Sequence, residues 1–129
     1  MTNLYTNEQC DRITFQMPPV WGDALSKTWN LRPDSPDEEW DNALWSIDKL
    51  TTLKPGVHEM SPIRSMWLIS AMYMVERHRD QFHHRLQSEV VNSLFAALIC
   101  DEWAGRVREL RRAHHRLDEW RNTLRKEED

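Results

Sequence analysis

Glycine is scarce in this sequence, with only three in 129 residues. Tight β-hairpins and phosphate-binding loops both use glycine, because a residue without a Cβ readily adopts positive φ and lets the backbone approach a ligand closely. The three glycines, Gly22, Gly56 and Gly105, are far apart in the chain. This argues against an all-β fold and against a Gly-rich nucleotide-binding loop.

Cysteines and long apolar runs are also rare. Cys10 and Cys100 are too few for a disulfide framework, and Cys100 lies in an apolar run that predicts a buried free thiol. No apolar stretch approaches the roughly 18 residues of a membrane-spanning helix. The first residues lack the basic and apolar regions of a secretory signal. These absences predict a cytoplasmic protein without a membrane partner.

Motifs with a definite chemistry are missing as well. The chain contains no Cys-x-x-Cys, Glu-x-x-His or Gly-x-Ser-x-Gly, so neither a zinc or di-iron centre nor a serine nucleophile is indicated. Histidines on a solvated helix are the favoured interpretation, and the sequence predicts no cofactor, no metal ligand and no catalytic residue. A metal-dependent helical-bundle protein remains an alternative, with ligands drawn from His78, His83, His84, His114 and His115.

The large apolar side chains predict a folded domain. Seven Trp and six Met are present, whereas disordered chains are poor in aromatic residues. A length of 129 residues fits one domain with one core. We predict a single helical domain over 1–129, with an irregular N-terminal arm over 1–34 and a helical core over 35–126.

The N-terminal arm carries few regular signals. Ile13, Phe15 and Met17 alternate with polar residues, which predicts an extended segment. Two consecutive prolines at 18–19 then break regular structure. Only two short helices are expected here, one ending at Ile13 and one carrying Trp29.

Four helices are predicted in the helical core. Helix A follows a capping box at Ser35, helix C spans 88–100 and helix D spans 101–126. Helix B, over 63–75, is apolar on nearly every side, which is typical of a helix surrounded by other elements. The sequence therefore predicts an all-α, four- to five-helix bundle with helices B and C at its centre. The tryptophans assigned to its core are Trp40, Trp67 and Trp103.

Charge is distributed unevenly along the chain. Residues 1–60 hold ten acids and five bases, a balance of −5, whereas residues 106–126 hold seven Arg, one Lys and three acids, a balance of +5. On helix D the apolar residues fall on one arc and the basic residues on the opposite arc. Arginine binds carboxylates and phosphates through a planar fork, and Trp and Arg are enriched in binding hot spots. The predicted partner-binding residues are Arg108, Arg111, Arg112, His115, Arg116 and Trp120.

Three functions are compatible with these patterns. The favoured one is a non-enzymatic protein-interaction module that binds an acidic protein surface, either as an accessory subunit or as a small inhibitor of the kind that phages and mobile elements encode. The second is a helical subunit of a nucleic-acid-handling complex, whose basic helix face contacts phosphates. The third is the metal-dependent bundle. A purely solvated basic face is the alternative to the first two.

Overall fold

A computed structural model describes residues 7–53 and 60–128 of the chain. Within these ranges all regular structure is helical and no strand occurs, which confirms the predicted all-α class. A 3-10 turn, Arg79–Gln81, separates the fourth and fifth α-helices. The described ranges contain six α-helices, whereas a bundle of four or five was expected: α1 Asn7–Phe15, α2 Pro19–Trp29, α3 Asp37–Leu50, α4 Pro62–Arg77, α5 Arg85–Ile99 and α6 Trp103–Glu128.

The two short helices expected over 1–34 are present as α1 and α2, but they occupy most of the described part of this range, so the prediction of an irregular arm is wrong. Pro19 stands at the start of α2, where its fixed φ suits a helix and no backbone hydrogen bond is lost. The two prolines therefore begin a helix after a short turn. The alternation of Ile13, Phe15 and Met17 falls on the last turn of α1 and the turn that follows, so it marks no extended segment.

α1 and α2 belong to the hydrophobic core. Cys10 of α1 and Trp21 and Leu25 of α2 are buried. The two helices approach each other closely at Gly22, where a Cβ atom would lie 2.9 Å from the carbonyl oxygen of Thr14. A glycine in α2 therefore allows contact with the end of α1.

Helix α5 is the centre of the fold. Ten of its fifteen residues are buried, including Leu94 and Phe95. Its buried Gln87 donates hydrogen bonds of 3.0–3.1 Å from Nε2 to the carbonyl oxygens of Thr28, Trp29 and Leu31. One side chain of α5 therefore binds the carbonyl oxygens at the C-terminal end of α2, where the helix itself supplies few donors.

Helices α3 and α6 are held together by an aromatic contact and an ion-pair cluster. The rings of Trp40 and Trp120 meet edge to face at 4.7 Å between centroids. Arg121 donates to Asp41 at 2.7 Å and to Asp37 at 3.1 Å. The acidic start of α3 is therefore paired with an arginine of the same chain.

The predicted helix boundaries need two corrections. The Ser35 capping box does not form, because Pro36 is the N-cap of α3 and the Ser35 hydroxyl accepts a hydrogen bond from the amide of Arg32. Cys100 is half-buried and lies in the short break between α5 and α6. There Arg106 donates to the Cys100 carbonyl at 2.7 Å, so the backbone at this break is satisfied by the following helix.

Candidate interaction surface on helix α4

Helix α4 is built as the sequence predicts, but it is not surrounded. Ser61 is its N-cap and accepts a hydrogen bond from the amide of Arg64, and Pro62 occupies the first helical turn. Only Leu68, Ala71 and Val75 are buried, and this single stripe faces α5. The prediction that helix B forms the centre of the fold, with Trp67 in the core, is therefore wrong.

Six large apolar residues of α4 face solvent instead, with exposed fractions from 38% to 72%. At 100° per residue they occupy the arc opposite the buried stripe. Arg77 is the one charged residue of α4 within that arc, and it lies at the end of the helix. The six residues are Ile63, Met66, Trp67, Ile69, Tyr73 and Met74.

A groove lies between α1 and α4, with a volume of about 820 Å³. Its apolar walls are formed by Ile13 and Phe15 of α1 and by Trp67 and Met74 of α4. Phe15 is 83% exposed although it stands on a short helix next to the core. We call this cavity the α1–α4 groove, and together with the six exposed residues of α4 it forms the α4 surface.

The α4 surface exposes more apolar area than is usual for a monomeric protein. Its exposed apolar part amounts to roughly 900 Å², taking about 200 Å² for each fully exposed large side chain. The largest apolar patch on a typical monomer covers about 300–600 Å², and larger ones usually mark a binding site. This surface is consequently the strongest candidate for a functional site.

The acidic, basic and thiol groups near the groove give it little chemistry of its own. Glu8 and Arg12 of α1 form an exposed ion pair at 2.9 Å. Cys10 of α1 is buried and does not line the groove. Burial, with a smaller contribution from Asp11, raises the pKa of its thiol to about 12. The thiol is therefore protonated at neutral pH and is a poor nucleophile. Recognition here would depend on apolar contact.

The residues that the sequence predicts as the partner site lie elsewhere, on α6. Some of them are exposed, and the others contact neighbouring helices of the fold. Arg108, Arg111, Arg112 and His115 are exposed, and Arg112 pairs with Glu109 of the same helix at 3.1 Å. Arg116 binds Glu89 of α5 at 2.9 Å, so it joins two helices of the fold.

Trp120 requires a correction, because it is fully buried and cannot contact a partner from this position. Its ring packs against Trp40 and is stacked on His84 at 6.0 Å between centroids. At 100° per residue, Trp120 falls at the edge of the apolar arc of α6. It lies under α3 because that helix covers this edge.

A second cavity of about 580 Å³ adjoins the exposed arginines. Trp103 and Val107 form its apolar wall, and Arg108 and Arg111 lie at its rim. In the described ranges neither arginine has a carboxylate partner, and Trp103 is only partly buried. This part of α6 combines free positive charge with an aromatic side chain.

The histidines do not come together. Among residues 7–53 and 60–128, no group of three His, Cys, Asp or Glu side chains is placed to hold a metal ion. His84 has a structural role, since its Nδ1 accepts a hydrogen bond from the amide of Leu86 and caps α5. His58 lies outside the described residues.

The apolar residues of the α4 surface are visible in the sequence, but their pattern predicts burial and not an exposed binding surface. Apolar residues on every side of a helix predict burial, but they do not show whether the covering elements belong to the same chain. Trp67 was assigned to the core of this chain for that reason. Phe15 was missed because its alternation with Ile13 and Met17 resembled a strand.

The described part of the chain is thus an all-α arrangement of six helices with an exposed apolar face on one of them. Comparison with protein-family models, with curated proteins and with solved structures gives no match. In the described residues, no helix is long and apolar enough to cross a membrane.

Proposed function

We propose that this protein is a non-enzymatic protein-interaction module, acting as an accessory subunit or a small inhibitor, and that the α4 surface contacts its partner. The observation that carries the proposal is the exposure of six large apolar residues on one side of α4 beside an open groove. Aromatic residues such as Trp67 and Tyr73 are typical anchors of protein interfaces. The proposal thus assigns the binding site to α4 in place of α6, where the sequence suggested it.

A partner protein fits this surface better than a small ligand. A compact apolar ligand in the α1–α4 groove would cover Phe15 and Trp67, but it would leave Met66, Ile69 and Tyr73 in water, since these do not line the groove. A protein surface can cover the groove and these three residues together. An amphipathic helix laid into an apolar groove is one established form of such recognition.

Site-specific photo-crosslinking in the native host tests the proposal. A crosslinking amino acid at Trp67 should give one protein adduct of defined mass. The matched control is Trp45, which is 60% exposed on α3, away from the α4 surface. We expect no adduct from position 45. Equal labelling from both positions, or none from position 67, would reject the α4 surface as a binding site.

The basic residues of α6 support a second candidate function, the binding of an acidic protein segment or a nucleic-acid backbone. Arg108 and Arg111 are exposed beside Trp103 and have no carboxylate partner in the described ranges. Arg116 is left out of this site because its guanidinium is already paired with Glu89.

Charge reversal at these two arginines tests the second candidate. The double variant Arg108→Glu, Arg111→Glu should weaken binding to a polyanion such as single-stranded RNA at least about tenfold, because each substitution removes a positive charge and adds a negative one. Arg32→Glu, in the exposed loop before α3, is the control. Binding to RNA that is insensitive to salt would contradict a phosphate contact, since displaced counterions make such binding salt-dependent.

A further inference from the structure

The apolar residues of the α4 surface are exposed to solvent in the single chain. We propose that a second copy of this chain covers them. This inference rests on the proposed function and names its partner. The two α4 helices would pack antiparallel across a twofold axis near Ser70. Three observations favour this arrangement, namely the area of the surface, its shape and the position of its charges.

The area matches what a stable dimer needs. The exposed apolar part of the α4 surface is roughly 900 Å², at about 200 Å² for each fully exposed large side chain. A standard protein–protein interface buries about 800 Å² on each partner. One copy of this surface can therefore supply one complete side of an interface.

The shape is self-complementary, as a twofold interface requires. Met66, Ile69 and Tyr73 form a ridge along one side of α4, and the α1–α4 groove runs along its other side. In a twofold dimer the same patch meets itself, so the ridge of each copy would enter the groove of the other. Ser70 is a small, exposed residue between the ridge and the groove, and it allows the two helices to approach.

The charges select the antiparallel direction. Arg77 is the one charged residue of α4 within the exposed apolar arc. It stands seven residues from Ser70, so the two copies of Arg77 would be roughly 20 Å apart along antiparallel helices. That separation exceeds the Debye length of about 8 Å at physiological salt. Parallel helices would bring the two guanidinium groups together and align the helix dipoles unfavourably.

Analytical ultracentrifugation of the purified chain from about 1 to 100 µM, a range that covers micromolar dissociation constants, tests the proposal. We expect a species of twice the 15.5 kDa chain mass. Trp67→Ala should raise the dissociation constant at least about tenfold, as loss of an interface anchor does. Trp45→Ala should leave it unchanged, and circular dichroism should show equal helix content in both variants.

A mixing experiment tests the ridge-in-groove geometry. Tyr73→Glu on the ridge and Trp67→Lys in the groove should each give monomers, because the change is present at both ends of the twofold interface. Mixing the two variants should restore a dimer, since one end then pairs opposite charges and the other end is unaltered. A mixture that stays monomeric would overturn this geometry.

Two further results would overturn the dimer. A chain that stays at 15.5 kDa at every concentration would exclude a second copy, and a dimer that survives Trp67→Lys alone or Tyr73→Glu alone would place the interface elsewhere. The crosslinking experiment separates these from failure of the proposed function. An adduct of the chain with a different protein at position 67 keeps the interaction module and rejects the dimer, whereas no adduct rejects both.

Discussion

Helices α4 and α5 are nearly equal in length and both are rich in apolar residues, yet they occupy opposite environments. α5 spans 15 residues, ten of them buried, and it contacts α2, α4 and α6. α4 spans 16 residues with three buried, and it packs mainly on α5. A helix that is apolar on all sides therefore needs covering on all sides, but the covering need not come from its own chain.

The attachment of α4 to the rest of the fold is correspondingly slight. Leu68, Ala71 and Val75 provide its packing, and Asn92 of α5 donates to Glu76 at 3.1 Å on the exposed side. In α5, by contrast, Gln87 and the buried apolar residues connect several helices. We expect the core around α5 and the α4 surface to differ most clearly when the same substitution is made in each of them.

The largest expected difference is between two phenylalanines. Phe95→Ala in α5 should lower the free energy of unfolding by about 3–5 kcal/mol, because it leaves a cavity at a fully buried position. Phe15→Ala in the α4 surface should change it by less than about 0.5 kcal/mol, measured at a concentration where the chain is monomeric. Chemical denaturation of both variants checks this. Similar losses would mean that the α4 surface is packed within the chain.

The next effect concerns the polar centre of α5. Gln87→Ala should cost about 1–3 kcal/mol, since the carbonyl groups of Thr28, Trp29 and Leu31 each lose a buried hydrogen bond. Asn122→Ala, at an exposed position of α6, is the control. Urea denaturation gives both values, and hydrogen exchange should localise the loss to the end of α2. A neutral Gln87→Ala would show that water replaces the side chain.

A smaller effect is expected at the start of α4. Ser61→Ala removes the acceptor for the Arg64 amide and should cost about 1 kcal/mol. Ser70→Ala, on the exposed side of the same helix, should be neutral or slightly stabilising because alanine favours helix. Thermal unfolding followed by circular dichroism measures both. Equal effects of the two substitutions would contradict the capping role.

The smallest effect is a change in acid sensitivity at the contact between α3 and α6. A hydrogen bond from Arg121 and its positive charge hold the pKa of Asp37 below its ordinary value of 3.8. The stabilisation is therefore present above that ordinary value and is lost as pH falls through the lowered pKa. Asp37→Asn should make the fall of stability below about pH 4 shallower. Denaturation at a series of pH values measures the slope, and an unchanged slope would contradict the pairing.

Most of the helices could be predicted from sequence because their signals are local. Pro62 after Ser61 marks the start of α4, and the apolar spacing of α3 and α5 gives helices close to the observed ones. α1 and α2 were underestimated because the burial of α2 depends on contacts with α5, such as those of Gln87, and α1 packs on α2. The candidate site could not be predicted for a related reason, as exposure is a property of neighbouring helices.

Trp120 and Trp67 show this limit most clearly. Periodicity placed Trp120 at an accessible edge and Trp67 in the core, and the structure reverses both assignments. Both residues stand on helices that the sequence predicts. Which of them is covered depends on where α3 crosses α6 and on the absence, in the described ranges, of a helix packed across the outer side of α4.

The sequence alone determined the all-α class, the periodic helices and the capped start of α4, since backbone hydrogen bonds and side-chain spacing act over a few residues. The tertiary packing determines the rest. It places α5 at the centre, uses Arg116 and Trp120 in contacts between helices, and leaves the apolar side of α4 exposed to solvent. The physical reason is that burial requires two surfaces in contact. The sequence specifies the apolar side of each helix, but it does not specify which other surface packs against that side.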